Sequence, residues 1–233
     1  MTLNNGLTVF IPVYNEAAIL RKNIHVLQQY LESMKIPYEI IIGSNGSTDK
    51  TPEIGKTVAI TYAHVKFFHL KLRGPGLAFK EALNKASYMF FLCIDADLST
   101  DLDFILRAIF YLQTYDAVVG SKLVGKQTRP LFRVLVSEFF IKCTNLLLNM
   151  PYRDYSIGAK AYRAESIRPF ISDIDRHTFY TQALLWQLQK NGGKIIEIPV
   201  NCWDYRKSKF NLLHEGIYRY YKLLHLWIKN IRD

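Results

Sequence analysis

Short apolar runs alternate with helical segments over about the first 120 residues, and this alternation restricts the fold more than any other feature. The runs are rich in β-branched and aromatic residues, which is typical of strands. They cover 7–13, 39–42, 65–70, 89–94 and 117–119. The segments between them, such as 18–34 and 76–86, repeat apolar residues every three or four positions, as helices do. The pattern predicts a mostly parallel central sheet covered by helices on both faces.

The later part of the chain is more helical. Apolar spacing predicts helices over 131–149, 178–191 and 212–230, and a further strand over 194–200. No linker rich in Ser or Gly separates this part from the first. The sequence therefore predicts one α/β domain over 1–233, long enough to bury a core without disulfides.

The cysteines and the first residues indicate a cytoplasmic protein. Cys93, Cys143 and Cys202 are odd in number, far apart and set among apolar residues, which predicts reduced thiols. The N-terminal residues show no signal-peptide pattern, and no apolar run is long enough for a membrane span.

Two carboxylates, Asp95 and Asp97, directly follow the apolar run 89–94. Ligands collect at the carboxyl ends of strands in such sheets, so both side chains can reach one ion there. Oxygen ligands suit Mg²⁺ or Mn²⁺, which keep several waters and bridge carboxylates to substrate phosphates. The alternative is that the pair caps a helix over 103–112.

Polar turns also end two other predicted strands. The run 9–13 leads into Tyr14, Asn15 and Glu16, and the run 39–42 leads into a polar turn over 43–51. Each turn alone is typical of loop and helix-cap chemistry. In a parallel sheet, however, both turns would lie at the same edge as the two carboxylates.

The order of these fragments resembles that of the family 2 glycosyltransferases of GT-A fold, and within them the dolichol-phosphate mannose synthases and related polyprenyl-phosphate glycosyltransferases. The fragments are IPVYNE at 11–16, GSTDKT at 46–51, GPGLA at 74–78, DADL at 95–98, GSK at 120–122, DYSIGAKAYR at 154–163, IEIPV at 196–200 and RKSK at 206–209. The resemblance covers nearly the whole chain. It implies a nucleotide-sugar donor bound mainly by residues 1–120 and an acceptor bound mainly by residues 121–233.

The resemblance also implies roles for individual donor-side residues. The positions that would hold the donor are Pro12, Tyr14, Asn15, Glu16, Ser44, Asn45, Gly74, Gly76 and Asp95. The two glycines would let the backbone approach the nucleoside closely, or form a tight turn before a helix. Asp97 would be the main metal ligand, with Asp95 nearer the ribose or the metal. Ser99 would assist as a poorer metal ligand at a position where relatives often have Gln. Relatives usually carry two acids where this chain has Ser44 and Asn45, so the base preference is open.

The acceptor side differs from that of relatives that act on hydroxyl groups. Where many of them carry catalytic acids, this chain has Tyr180 and Gln182. A phosphate acceptor is already anionic and needs positive charge rather than a base, which favours polyprenyl phosphate. The resemblance implies that four residues lie near that phosphate, namely Lys122, Arg133, Asp154 and Arg206. It also implies a catalytic role for Arg206. Solvated surface cations and, for Asp154, a helix-end cap are the alternatives.

Charge and a C-terminal segment suggest a membrane surface as a partner. The chain has 30 Lys and Arg against 20 Asp and Glu, a formal charge of +10, which favours anionic partners. The aromatic, basic segment 210–230 is amphipathic and would lie in the headgroup layer, with helix 131–149 beside it. Alternatively it packs on the sheet with its basic side in water. No nucleic-acid-binding motif accompanies the charge.

The leading hypothesis is an inverting, metal-dependent transfer of a hexose from GDP-mannose or a UDP-sugar to dolichyl or polyprenyl phosphate, at the cytoplasmic face of a membrane. One alternative is transfer to a saccharide or lipid hydroxyl, with Asp154 as the base. A second is a non-catalytic member that binds nucleotide or membrane, which the replacements at Ser44, Asn45, Ser99 and Gln182 suggest. The oligomeric state has no signal in the sequence.

Overall fold

The structure is a computed structural model that describes residues 4–122, 131–203 and 212–232. Its strands are β1 Asn4–Val13, β2 Tyr38–Asn45, β3 Val65–Leu70, β4 Tyr88–Cys93, β5 Ala117–Ser121, β6 Lys160–Arg163 and β7 Ile195–Pro199. Its α-helices are α1 Leu20–Ser33, α2 Thr51–Thr61, α3 Pro75–Lys85, α4 Asp103–Tyr111, α5 Leu131–Leu148, α6 Ala164–Ile167, α7 Tyr180–Lys190 and α8 Leu212–Arg232. A 3₁₀ helix, Arg168–Asp173, follows α6.

The strands form one seven-stranded sheet in the order β3-β2-β1-β4-β6-β5-β7. β1 lies parallel to β2 and β4, β2 to β3, and β5 to β7. β6 runs antiparallel to both β4 and β5. The predictions of a mostly parallel sheet and of a single α/β domain are confirmed, because strands from both parts of the chain share this sheet.

Apolar periodicity explains how the sheet is covered. Alternate residues of β1 pack into two cores, with Leu7 and Val9 on the face of α1 and Phe10 on the face of α3. The buried residues of α1 repeat at helical spacing and are Leu20, Ile24, Leu27 and Leu31. Each predicted helix and strand is present with small shifts at its ends. The strand β6 was not predicted, because its sequence, KAYR, begins and ends with a charged residue.

The helices α5 and α8 pack against each other. The ring of Phe140 meets that of Tyr220 edge to face with centroids 5.2 Å apart. Both helices also keep apolar side chains exposed, namely Leu135, Val136, Phe139, Leu146, Ile217, Tyr221, Leu224, Ile228 and Ile231. Within the described ranges, none of the helices combines the length and the apolar character that crossing a membrane requires. The three cysteines are free, as predicted, and Cys143 is partly exposed.

Candidate active site

The carboxyl ends of three neighbouring strands bring the predicted polar segments together. Val13 of β1 is in register with Ser44 of β2, and Phe10 of β1 with Cys93 of β4. The turns that follow these strands therefore lie side by side at one edge of the sheet. This is the arrangement expected where a parallel sheet binds a ligand.

Asp95 and Asp97 lie in a tight turn immediately after β4. The backbone N–H of Leu98 donates to the carbonyl of Asp95 at 3.0 Å, and the N–H of Ser99 donates to Asp97 Oδ1 at 3.0 Å. Leu98 has a φ of 52°, in the left-handed region that branched residues rarely adopt. Such backbone strain is often found at functional sites. Both aspartates of this turn are partly exposed at the edge of the sheet.

The helix-cap alternative for the two carboxylates is wrong. At the start of α4 the backbone N–H of Phe104 donates to Asp101 Oδ1 at 3.1 Å, so Asp101 takes that role. The backbone of Ser99 is also engaged, since its carbonyl accepts a hydrogen bond from the N–H of Trp203 at 2.8 Å. The turn is thereby fixed to the segment that follows β7.

The electrostatics of this turn suit a divalent cation. Burial and the charge of Asp97 raise the pKa of Asp95, against the opposing effects of the Gly158 N–H, Lys160 and Lys122. A cation beside the pair would favour the ionised form of Asp95. Among the described residues no group of three or more His, Cys, Asp or Glu could hold a metal. The carboxylate pair offers the oxygen ligands that Mg²⁺ and Mn²⁺ prefer, and these ions take further ligands from waters and substrate phosphates.

Asn15 joins the loop after β1 to the loop after β2. Its side-chain oxygen accepts hydrogen bonds from the backbone N–H groups of Thr48 at 2.8 Å and Asp49 at 3.4 Å. Its own backbone N–H donates to Ser47 Oγ at 3.1 Å. Asn15 has a φ of 54°, a conformation that Asn tolerates better than most residues. This predicted donor-binding residue therefore has a structural role that the resemblance did not imply.

The neighbours of Asn15 are held in different ways. Pro12 is paired with Gly43 inside the sheet. The guanidinium of Arg73 lies over the ring of Tyr14, 4.1 Å from its centroid. The backbone N–H of Glu16 donates to Thr51 Oγ1 at 2.8 Å, which adds a further link between the two loops.

Ser44 and Asn45, which replace the usual acids, are turned into the protein. The Ser44 hydroxyl lies 3.0 Å from Ser47 Oγ and 2.9 Å from His69 Nδ1. The side-chain amide of Asn45 donates to the carbonyl of Val13 at 3.0 Å. Both side chains are buried, so their hydrogen-bonding groups stabilise the loops themselves.

The glycines at the start of α3 leave room for the backbone of residues 175–177. A Cβ on Gly76 would lie 1.8 Å from the carbonyl oxygen of Asp175, and the Gly76 N–H donates to the carbonyls of Arg176 and His177, each at 3.1 Å. A Cβ on Gly74 would lie 3.0 Å from the Arg176 carbonyl oxygen. The close approach that these glycines permit in the structure is that of residues 175–177, and a contact with a nucleoside stays a prediction.

Lys122 and Asp154 form a buried ion pair. Lys122 Nζ lies 3.6 Å from Asp154 Oδ2 and donates to Ser156 Oγ at 3.0 Å, with both charged side chains almost completely buried. Asp154 Oδ1 also accepts from the N–H groups of Ser156 and Ile157. Burial alone would raise the pKa of Asp154, but Lys122, Lys160 and the bonds from Ser156 outweigh it and lower the pKa.

These contacts correct two of the alternatives for this pair. Asp154 is not a helix-end cap, since it lies in the loop between α5 and β6. Lys122 is not a solvated surface cation. A contact between Lys122 and an acceptor phosphate stays a prediction, and it would require this pair to open.

Lys160 is a buried cation that the sequence analysis did not single out. It is the first residue of β6, in register with Cys93 of β4, and its ammonium donates to the carbonyl of Ile157. Burial lowers the pKa of Lys160 to about 8, although Asp154 and Asp95 favour its charged form. Its position inside the fragment 154–163, which the resemblance selects, was the available signal.

The remaining acceptor-side residues singled out in the sequence either lie outside the described structure or are packed inside the protein. Arg206 falls outside the described residues, and for Arg133 the backbone within α5 is described but not the side chain. Gln182 is fully buried, and its side-chain amide has no hydrogen-bond partner among the described residues. The Tyr180 ring packs on Phe79 with centroids 4.9 Å apart, and burial raises the pKa of its phenol. Neither replaces a catalytic base.

The sequence profile described as "Glycosyl transferase family 2" matches residues 8–170. The chain belongs to this family. The matched region contains the edge described above, including both loops that Asn15 joins, the Asp95–Asp97 turn and the segment around Lys160.

Curated relatives in this family are longer proteins. Over 229 residues the chain is 28% identical to "Glycosyltransferase AglD" of Haloferax volcanii, which covers 94% of this chain and 36% of the relative. It is 26% identical over 175 residues to "Undecaprenyl-phosphate 4-deoxy-4-formamido-L-arabinose transferase" of Yersinia enterocolitica, covering 74% of this chain and 53% of that protein. The chain thus spans between about a third and about half of the length of these relatives.

Solved structures share the fold. Glucosyl-3-phosphoglycerate synthase from Mycobacterium tuberculosis, in complex with UDP, superposes with a TM-score of 0.73 at 18% identity, over 96% of this chain and 80% of that one. The same synthase with Mn²⁺, UDP-glucose and phosphoglyceric acid gives a TM-score of 0.71 at 17% identity, over 96% and 80% of the two chains. The predicted GT-A fold is confirmed.

Proposed function

We propose that this family 2 glycosyltransferase transfers a hexose, with inversion, from GDP-mannose or a UDP-sugar to dolichyl or polyprenyl phosphate, with Mg²⁺ or Mn²⁺ bound at Asp95 and Asp97. The observation that carries the proposal is the position of this carboxylate pair. It lies at the edge of the sheet beside the two loops joined by Asn15, where the strand ends converge. A complex of Mn²⁺ with UDP-glucose in a protein of the same fold supports the choice of metal and donor.

The carboxylates and the loops of the site would have separate roles. Asp97, with Asp95, would hold the cation, whose charge neutralises the diphosphate leaving group when it is bound. The loops after β1 and β2 would hold the nucleoside against the edge. Catalysis would then depend on positioning and on fixed charge rather than on proton transfer.

The choice of acceptor is supported by the properties of Asp154, the candidate base. Transfer to a hydroxyl needs a carboxylate base, and Asp154 was the candidate. Its oxygens accept hydrogen bonds from Lys122, Ser156 and Ile157, it is almost completely buried, and its pKa is lowered. These properties disfavour Asp154 as a base and favour an acceptor that is already anionic. The relative named as an undecaprenyl-phosphate transferase supports this choice.

A membrane surface would bring a lipid phosphate to the site. The exposed apolar side chains of α8 repeat at helical spacing, as at Ile217, Tyr221 and Leu224, and Lys222 and Lys229 lie on the same helix. Exposed apolar residues continue onto α5, which packs beside α8. Apolar insertion together with attraction to anionic headgroups is the usual basis of such binding.

Vesicle flotation tests this surface. We expect the protein to float with vesicles that contain phosphatidylglycerol and to float less with phosphatidylcholine alone. The double variant Ile217→Ser/Tyr221→Ser should lose most of this binding, whereas Leu106→Ser/Phe110→Ser, a matched change at two exposed residues of α4, should not. Equal loss in both variants would remove the assignment of the surface to α8.

A donor and acceptor panel tests the reaction. Purified protein is incubated with GDP-mannose, UDP-glucose or UDP-GlcNAc, with polyprenyl phosphate in vesicles or a saccharide acceptor, and with Mg²⁺, Mn²⁺ or EDTA. The expected result is metal-dependent lipid-linked sugar. Product on the saccharide alone would replace the phosphate acceptor with a hydroxyl, and nucleotide binding with no turnover on any acceptor would support a non-catalytic member.

A further inference from the structure

The backbone of Gly158 contacts the carboxylate of Asp95. It lies in the loop just before β6, 63 residues after Asp95, and its backbone N–H donates to Asp95 Oδ2 at 3.1 Å. A Cβ at Gly158 would lie 2.4 Å from Asp95 Oδ1, 2.6 Å from Cγ and 2.7 Å from Oδ2. The Asp95 carboxylate therefore occupies the space that a side chain at residue 158 would fill.

The backbone does not explain why this residue is glycine. The glycines with positive φ in the described chain are Gly6, Gly46 and Gly192. Gly158 is therefore in a conformation open to other residues, and the contact with Asp95 is what excludes a Cβ. Non-bonded heavy atoms pack at separations of about 3.5 Å or more, so rotation of the carboxylate about its own bond would not relieve the overlap.

The group that would have to move is a side chain and not backbone. A methyl group at Gly158 would push the Asp95 carboxylate away and weaken its hydrogen bond to the N–H, while the sheet around it has no need to shift. The damage should therefore fall on the position of Asp95 rather than on the fold.

We propose that Gly158 is a positioning residue that fixes the Asp95 carboxylate for the metal–nucleotide complex. The inference rests on the proposed function, because that function assigns Asp95 to the donor site. It adds that the segment before the antiparallel strand β6 completes a site otherwise built from the ends of β1, β2 and β4.

The test measures binding of Mn²⁺ in the presence of UDP, and separately of GDP, by the loss of the free Mn²⁺ EPR signal. Gly158→Ala should weaken binding about ten- to a hundredfold, the usual effect of removing a group that orients a metal ligand. Gly216→Ala is the matched control, since a Cβ there would meet nothing within 4 Å, and it should bind like the wild type. Asp97→Ala reports on the metal site itself.

A second measurement covers the case in which Gly158→Ala lowers the stability. In an Asp95→Ala background the obstructing carboxylate is gone, so adding Gly158→Ala should change neither the melting temperature nor the residual binding. Such non-additivity is the signature of a direct contact. If Gly158→Ala is equally destabilising in both backgrounds, the proposal is overturned.

The variants distinguish failure of the role proposed for Gly158 from failure of the proposed function. Normal binding by Gly158→Ala together with lost binding by Asp97→Ala would overturn the role of Gly158 and leave the proposed function intact. Normal binding by Asp97→Ala would remove the metal site and, with it, both proposals.

Discussion

The turn after β4 and the loops after β1 and β2 lie at the same edge of the sheet, but they use their polar side chains differently. In the loops, the side chains of Asn15, Ser44 and Asn45 are bonded to other parts of the protein. In the turn, Asp95 and Asp97 stay partly exposed, and burial and mutual repulsion raise the pKa of Asp95. The side chains of the loops after β1 and β2 thus hold these loops together, and we call the two loops the frame. The turn after β4 places negative charge at the edge of the sheet.

This difference shows why a polar motif at a strand end does not by itself identify a ligand-binding side chain. The free energy of a buried hydrogen bond can stabilise a loop as readily as a complex. Substitutions in the turn should therefore change activity with little effect on stability, and substitutions in the frame should do the reverse.

Asp97→Ala should show the largest effect on activity. Loss of a ligand to a cation that stabilises several kcal/mol of developing charge should lower kcat/KM at least about a thousandfold. The free energy of unfolding should fall by only about 1 kcal/mol, the contribution of the bond from the Ser99 N–H. Transfer assays and urea unfolding on the same preparation measure both quantities. Unchanged turnover would contradict the assignment of Asp97.

Asp154→Asn should show the largest effect on stability. Removing one partner of the buried pair leaves the Lys122 ammonium uncompensated, at a cost of about 3 kcal/mol. The folded-state pKa of Asp154 is lowered, so its contribution is complete above the ordinary value of about 3.9 and is lost as the pH falls through the folded-state pKa. Urea unfolding between neutral pH and about pH 3 should therefore show a shallower acid dependence in the variant.

The double variant Asp154→Asn/Lys122→Met is the control for that prediction. Since the cost comes from the unpaired charge, removing Lys122 as well should recover part of the lost stability. An additive loss would mean that the ion pair is not the source of the effect.

The sequence predicted the elements and the edge because both depend on local periodicity and on a general property of parallel sheets. Alternating runs predicted the strands from β1 to β5, and the ends of β1, β2 and β4 do meet. It did not predict β6, because the charge of Lys160 interrupts the apolar pattern, although Asp154 and Asp95 stabilise that charge inside the fold.

The remaining differences come from partners that are distant in sequence. Gly76 is glycine because Asp175 packs against it, and Gly158 because Asp95 does. A strand–turn–helix pattern shows where such a glycine lies, but not which segment will approach it. That choice is made by tertiary packing, which no local pattern encodes.

Substitutions at Asn15 test whether the side chains of the frame stabilise the fold or bind the nucleotide. Asn15→Ala should lower the free energy of unfolding by about 2 to 3 kcal/mol, since it removes two hydrogen bonds and places a Cβ residue at a φ of 54°. Asn15→Gly relieves the φ and should lose about 1 kcal/mol less. Asn15→Asp keeps the acceptor and should lose least. If instead all three keep wild-type stability and lose nucleotide affinity, Asn15 belongs to the donor site.

Asn45→Asp should have the smallest effect on nucleotide binding, and it tests the loop after β2 at a position where the resemblance leads us to expect an acid. The Asn45 amide donates to the buried carbonyl of Val13 at 3.0 Å, and an ionised carboxylate cannot donate. The substitution leaves that carbonyl unpaired and adds a buried charge, so the free energy of unfolding should fall by about 2 to 3 kcal/mol. Affinity for UDP or GDP should not improve, because the side chain faces Val13 rather than the open edge. Tighter nucleotide binding at unchanged stability would instead show that the side chain at this position contacts the nucleotide.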